Sequence, residues 1–191
     1  MTNTGPWRPP AEADGPPDEP SGPPPDDIHT AWGLWLAATA FAVVGMVLNA
    51  ATSRFGDLPA ATRDAFRDAV ASATSADLSV ETLFTTARIV GAVLAILAAL
   101  VTVWLAFRLR AGEGWARTML DIVAIFLVVD AVSVLIGVFS GVAVAGERGE
   151  VVTFVVISMQ ILAGLCAATA VWRQHTAEAM AFTTGGARVR E

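Results

Sequence analysis

Apolar and polar positions along this chain alternate in long blocks. Four stretches nearly free of charge, at 30–53, 89–107, 122–146 and 151–172, are separated by polar segments. Crossing the hydrocarbon core of a bilayer takes about 20 predominantly apolar residues in helical form. Three of the stretches meet that length outright, and the third in order meets it with one acid, Asp130, inside. The blocks predict four transmembrane helices at about 31–51, 83–107, 118–145 and 151–172. Tryptophan marks one end of each. Trp32 and Trp35 open the first, Trp104 closes the second, Trp115 precedes the third and Trp172 closes the fourth. In an up-down bundle these positions share one end, as an interfacial aromatic belt requires. The fold class is therefore an all-α integral membrane protein, a bundle of four transmembrane helices over residues 28–173.

The polar segments differ among themselves. Residues 1–27 carry nine of the ten prolines, with Gly and acids between them. Such a segment cannot bury enough apolar surface to offset its ordering entropy, so a disordered tail is expected. The connection from Thr52 to Glu81 predicts a short amphipathic helix between the first and second spans, with Asp57 as N-cap and Pro59 in its first turn. Ala61, Ala65, Phe66, Ala69, Val70 and Ala73 recur at helical spacing, with Arg63, Asp64, Arg67 and Asp68 on the other side. Residues 174–191 read as a short polar C-terminal tail.

Composition agrees with this pattern. At 54% hydrophobic and a mean hydropathy of +0.59, the 191-residue chain is too apolar for an ordinary water-soluble domain. All 12 basic residues are Arg, and with the abundant Ala, Val and Gly this suggests a GC-rich bacterial genome. The net charge of −6 belongs mostly to residues 1–27, where six acids face one Arg. It argues against nucleic-acid partners, which need a basic surface. Cys166, the single cysteine, reads as a small buried apolar residue. No cleaved secretory leader is expected, because no basic segment adjoins an early apolar core. If both termini are cytoplasmic, seven Arg lie inside (Arg8, Arg108, Arg110, Arg117, Arg173, Arg188, Arg190) and four outside (Arg54, Arg63, Arg67, Arg148). That bias favours cytoplasmic N- and C-termini in a bacterial plasma membrane.

Ionisable groups inside a span mark sites or structural pairs. Three fall there: Arg88, Asp121 and Asp130. Counting about 1.5 Å per residue from the loop joining the second and third helices puts Arg88 roughly 28 Å and Asp130 roughly 22 Å up. The match in height predicts an Arg88–Asp130 ion pair within the membrane. Asp121 lies on the opposite face of the same helix from Asp130 and is expected to reach interfacial water or Arg117. Gly137 and Gly141 form a small-xxx-small spacing suited to close helix packing, and Asn49, Thr102 and Gln160 can add hydrogen bonds between helices. The basic loop supplies Arg108, Arg110 and Arg117 as candidate contacts for anionic lipid headgroups. No His/Cys/Glu grouping has metal-ligand spacing, and no nucleophile–base pair or nucleotide-binding fingerprint is present in the sequence. No cofactor, catalytic residue or enzymatic activity is expected.

The loop Arg110-Ala111-Gly112-Glu113-Gly114-Trp115-Ala116-Arg117 entering a helix, behind a proline-rich acidic tail and among four spans, resembles small tetraspan membrane proteins of unknown function from GC-rich Gram-positive bacteria. In these an R-x-G-x-x-W-A-R-like loop often precedes a helix. The resemblance implies an architecture and no activity. The expected function is a non-enzymatic accessory, interaction or scaffold subunit, with the lipid bilayer and a membrane-protein partner or a second copy as partners. The alternative is a small transporter or channel component with a polar pathway around Asp130 and Arg88.

Overall fold

The computed structural model describes residues 23–58, 60–73, 79–140 and 150–188. Six α-helices form: α1 (Asp26–Thr52), α2 (Ala60–Ala73), α3 (Val80–Arg110), α4 (Gly114–Phe139), α5 (Glu150–Gln174) and α6 (Ala177–Arg188). A 3-10 turn, Phe55–Asp57, leads into α2, and no strand occurs among the described residues. Four helices, α1, α3, α4 and α5, are long and apolar enough to cross a membrane.

Helix ends sit where local chemistry permits. Helix α1 starts at Asp26, several residues before the expected start, directly after Pro25. Asp26 and Asp27 occupy its first turn, where carboxylates favour the positive helix end. The last two residues of the expected tail are thus helical, while 1–22 lie outside the described residues. Ser79 caps α3 by accepting a hydrogen bond from the Thr82 amide, and Arg108 and Arg110 occupy its last turn. The turn into α4 needs Gly112, whose φ of +83° lies in the left-handed region. Helix α4 begins at Gly114, so Trp115, Ala116 and Arg117 belong to the helix rather than to the loop.

The four long helices run up and down. Three residues join α3 to α4, which fixes that pair as antiparallel. Helix α1 packs along α5, with Trp35 against Gln174 near one end and Gly45 against Met159 further along. It also packs against α3, and α4 packs against α5; α3 meets α4 mainly beside the turn. The core is built largely of alanine: Ala31, Ala38, Ala106, Ala116, Ala124, Ala167 and Ala170 surround Trp35, Leu105, Leu109 and Leu120. Small side chains let the helices approach closely. A Cβ placed on Gly164 would sit 2.5 Å from Ala131 Cβ and 3.0 Å from Leu127 O, which locates the tightest α4–α5 crossing.

Short helices flank both ends of the bundle. At one end Phe55, Phe66 and Phe84 form a three-ring cluster with centroids 5.6 to 6.1 Å apart, which ties α2 to the 3-10 turn and to α3. At the other end α6 folds back. Phe182 packs on Gly112, and Thr183 is fully buried. The segment read from sequence as a polar tail is therefore a helix that covers the bundle.

Candidate functional site

The end covered by α6 collects most of the polar chemistry in the bundle. Trp35 and Gln174 are fully buried there. A buried indole N–H and a buried amide both need partners. Trp35 Nε1–H donates to Gln174 Oε1 at 3.1 Å, and Gln174 Nε2 donates to Asp121 Oδ1 at 2.7 Å. The amide can point only this way, because a flipped Gln174 would set its NH2 against the indole N–H. Asp121 Oδ2 then faces His175 Nε2 at 3.5 Å, and His175 Nδ1 lies 2.9 Å from Val171 O. Four side chains from α1, α4 and the end of α5 thus form one relay, from the core of the bundle to its surface.

The relay opens onto a groove of about 530 Å³ between α4 and α5. Its walls are Ala124, Ile125, Val128 and Val129 on one side and Ala168 and Val171 on the other, with Asp121 and His175 at the polar end. The groove is therefore apolar along its length and acidic at one end. Among the described residues no group of three or more His, Cys, Asp or Glu side chains is assembled for a metal ion.

Tryptophan and arginine ring the same end. Trp104 and Trp115 pack at 5.4 Å between centroids. Arg110 lies 4.7 Å over the Trp32 ring, and Arg108 lies 5.2 Å over Trp104 while pairing with Glu113 at 2.7 Å. Glu113 also accepts from Trp115 Nε1 at 2.6 Å, and Arg173 pairs with Asp27 at 2.9 Å. Arg108 and Arg110, expected to be ready for headgroups, are engaged within the chain. Arg117, expected along with interfacial water as a partner of Asp121, donates instead to Thr183 Oγ1 of α6 at 3.1 Å.

The structure does not bring Arg88 and Asp130 together. Arg88 Nη1 donates to the carbonyl of Ser53, the C-cap of α1. The last carbonyls of a helix lack intrahelical partners and carry partial negative charge, so they attract a cation from the neighbouring helix. Asp130 is exposed and accepts from Gln160 Nε2 of α5 at 3.3 Å. Counting height along two helices overlooked that α3 leans on α1 and α4 on α5 beyond their shared turn. Gln160 does bridge two helices, whereas Thr102 bonds back to Ala98 O of its own helix. The close crossings fall at Gly45 and Gly164. Gly137 is half-buried near the end of α4, and Gly141 lies outside the described residues.

Sequence reasoning reached Asp121 but missed its company. Gln174 and His175 follow the last apolar run and read as the start of a tail. A Trp, a Gln and an Asp all near one predicted interface were the available signal. No protein-family model, curated protein or solved structure matches this chain.

Proposed function

We propose that this chain is a multi-pass protein of a bacterial plasma membrane with both termini in the cytoplasm, serving as a non-enzymatic accessory or scaffold subunit. The carrying observation is the outer surface of the bundle. Leu94, Leu100, Ile125 and Ile136 are each more than 60% exposed, and apolar side chains cover α3 and α4 along their lengths. A contiguous apolar surface of this extent needs lipid or another protein against it. The Trp and Arg side chains ringing one end fit the headgroup level of a bilayer. A conduit around Arg88 and Asp130 has less support, since the two take separate partners on separate helices. The scaffold reading draws on the short α2 or the N-terminal segment as a partner-binding element.

Alkaline carbonate extraction followed by mild-detergent affinity purification tests this. The deletion removes residues 1–22 only, because Asp27 pairs with Arg173 and belongs to the bundle. The expected result is a carbonate-resistant protein that brings down one stoichiometric partner when intact and loses it on tail deletion. Release by carbonate rejects the membrane reading. A resistant protein that purifies alone, with or without the tail, rejects the scaffold reading.

A further inference from the structure

The contact between His175 and Asp121 offers a hydrogen-bond donor two acceptor atoms. Val171 O can only accept, so His175 Nδ1 carries the hydrogen in their 2.9 Å bond. In the neutral ring, Nε2 is left with a lone pair, and it faces Asp121 Oδ2, another acceptor, across 3.5 Å. The neighbouring donor, Gln174 Nε2, is directed at Oδ1 of the same carboxylate. Two acceptors face each other, one of them anionic. The gap is closed either by a proton on Nε2 or by a guest that presents several N–H groups on one cationic atom. A primary ammonium has three N–H donors and no acceptor. Asp121 and His175 side chains are 32% and 41% exposed, so such a guest can reach them.

The groove supplies the second half of the recognition. From Asp121 to Val129 its α4 wall rises about 12 Å at 1.5 Å per residue, all of it apolar beyond Asp121. The polar end lies at the α6 end of the bundle, the end that carries the Trp and Arg side chains, and the apolar part runs toward the middle of the bundle. A lipid has this same layout, head at the interface and chain toward the midplane. We propose that the α4–α5 groove holds a membrane lipid whose headgroup ends in a primary ammonium. The ammonium bridges Asp121 Oδ2 and His175 Nε2, and one acyl chain lies along Ala124, Val128 and Ala168. The proposal rests on the membrane reading above.

Native mass spectrometry of the full-length protein, released from nanodiscs of equal phosphatidylethanolamine and phosphatidylcholine, tests it. The two headgroups carry the same charges, but the choline nitrogen has no N–H. Charge-assisted hydrogen bonds of this kind predict about tenfold enrichment of retained phosphatidylethanolamine. Asp121→Asn keeps an acceptor for Gln174 and should bring the enrichment close to one. Ala168→Leu, on the exposed wall and away from the relay, should lower retention of both lipids while the protein elutes and melts as the wild type does. Equal retention of the two lipids by the wild type overturns the proposal. So does undiminished enrichment in Asp121→Asn, or a protein, alone or self-associated, that retains no lipid. If these failures occur in a carbonate-resistant protein, the lipid site is lost and the membrane reading stands.

Discussion

At the scale of single residues, the molecule turns on where a side chain is absent. Gly164 sits where α5 crosses α4, and an added Cβ would lie 2.5 Å from Ala131 Cβ and 3.0 Å from the carbonyl of Leu127. Both neighbours are held by helix backbone, so neither can give way alone. Gly164→Ala should therefore push the helices apart and cost about 1–3 kcal/mol, the usual range for overpacking. Gly33 lies in the same bundle with nothing within 4 Å of its Cβ position. Gly33→Ala should be neutral or stabilise by up to about 1 kcal/mol, because it only reduces backbone freedom. Thermal unfolding in one detergent, followed by tryptophan fluorescence, compares the two. Equal melting temperatures for both variants would contradict the close crossing. In sequence the two glycines look alike. The Gly137–Gly141 spacing looked more telling than Gly164, because a motif reports spacing along one helix and not which face meets a neighbour.

Among the elements, the long helices were legible and the short last one was not. Long apolar runs fix α3 and α5 to within about three residues, because hydrocarbon-length segments leave little choice of structure; α1 begins five residues early and α4, whose run holds Asp130, ends at Phe139 rather than at 145. The amphipathic spacing likewise foretold α2, but Asp57 falls in the 3-10 turn before it rather than at its N-cap, α2 begins at Ala60, and Pro59 lies outside the described residues. Helix α6 escaped because its sequence, AEAMAFTTGGAR, is brief and carries two consecutive glycines, a combination that reads as loop. Tertiary packing makes it a helix. Ala179 and Thr183 are buried and Phe182 rests on Gly112, where no Cβ intervenes. The same packing gives Arg117 a partner in Thr183. Truncation after Thr176 removes Phe182 and Thr183 together. Losing the Phe182 contact alone forfeits about 2 kcal/mol of burial. The melting temperature should fall by about 4–8 °C for a chain of this size, with carbonate resistance retained. An unchanged melting temperature would mean that α6 does not dock on the bundle.

On the scale of the whole molecule, the two ends differ in their arginine content. Arg108, Arg110, Arg117 and Arg173 gather at the α6 end, whereas Arg54, Arg63 and Arg67 lie at the α2 end. Arginine near span ends is retained on the cytoplasmic side during insertion. Arg110 and Arg108 at the α6 end also stack on Trp32 and Trp104. The proposed orientation predicts α6 in the cytoplasm and α2 outside. Cysteine labelling in intact cells reads this directly. With Cys166 replaced by Ala, single cysteines at Ser72 on α2 and at Thr184 on α6 both occupy exposed positions. A membrane-impermeant maleimide should modify Ser72→Cys in intact cells and Thr184→Cys only after permeabilisation. The reverse pattern would invert the bundle and place the Asp121–His175 end of the groove in the outer leaflet. Labelling of both positions in intact cells would mean that the four helices do not form an even set of crossings.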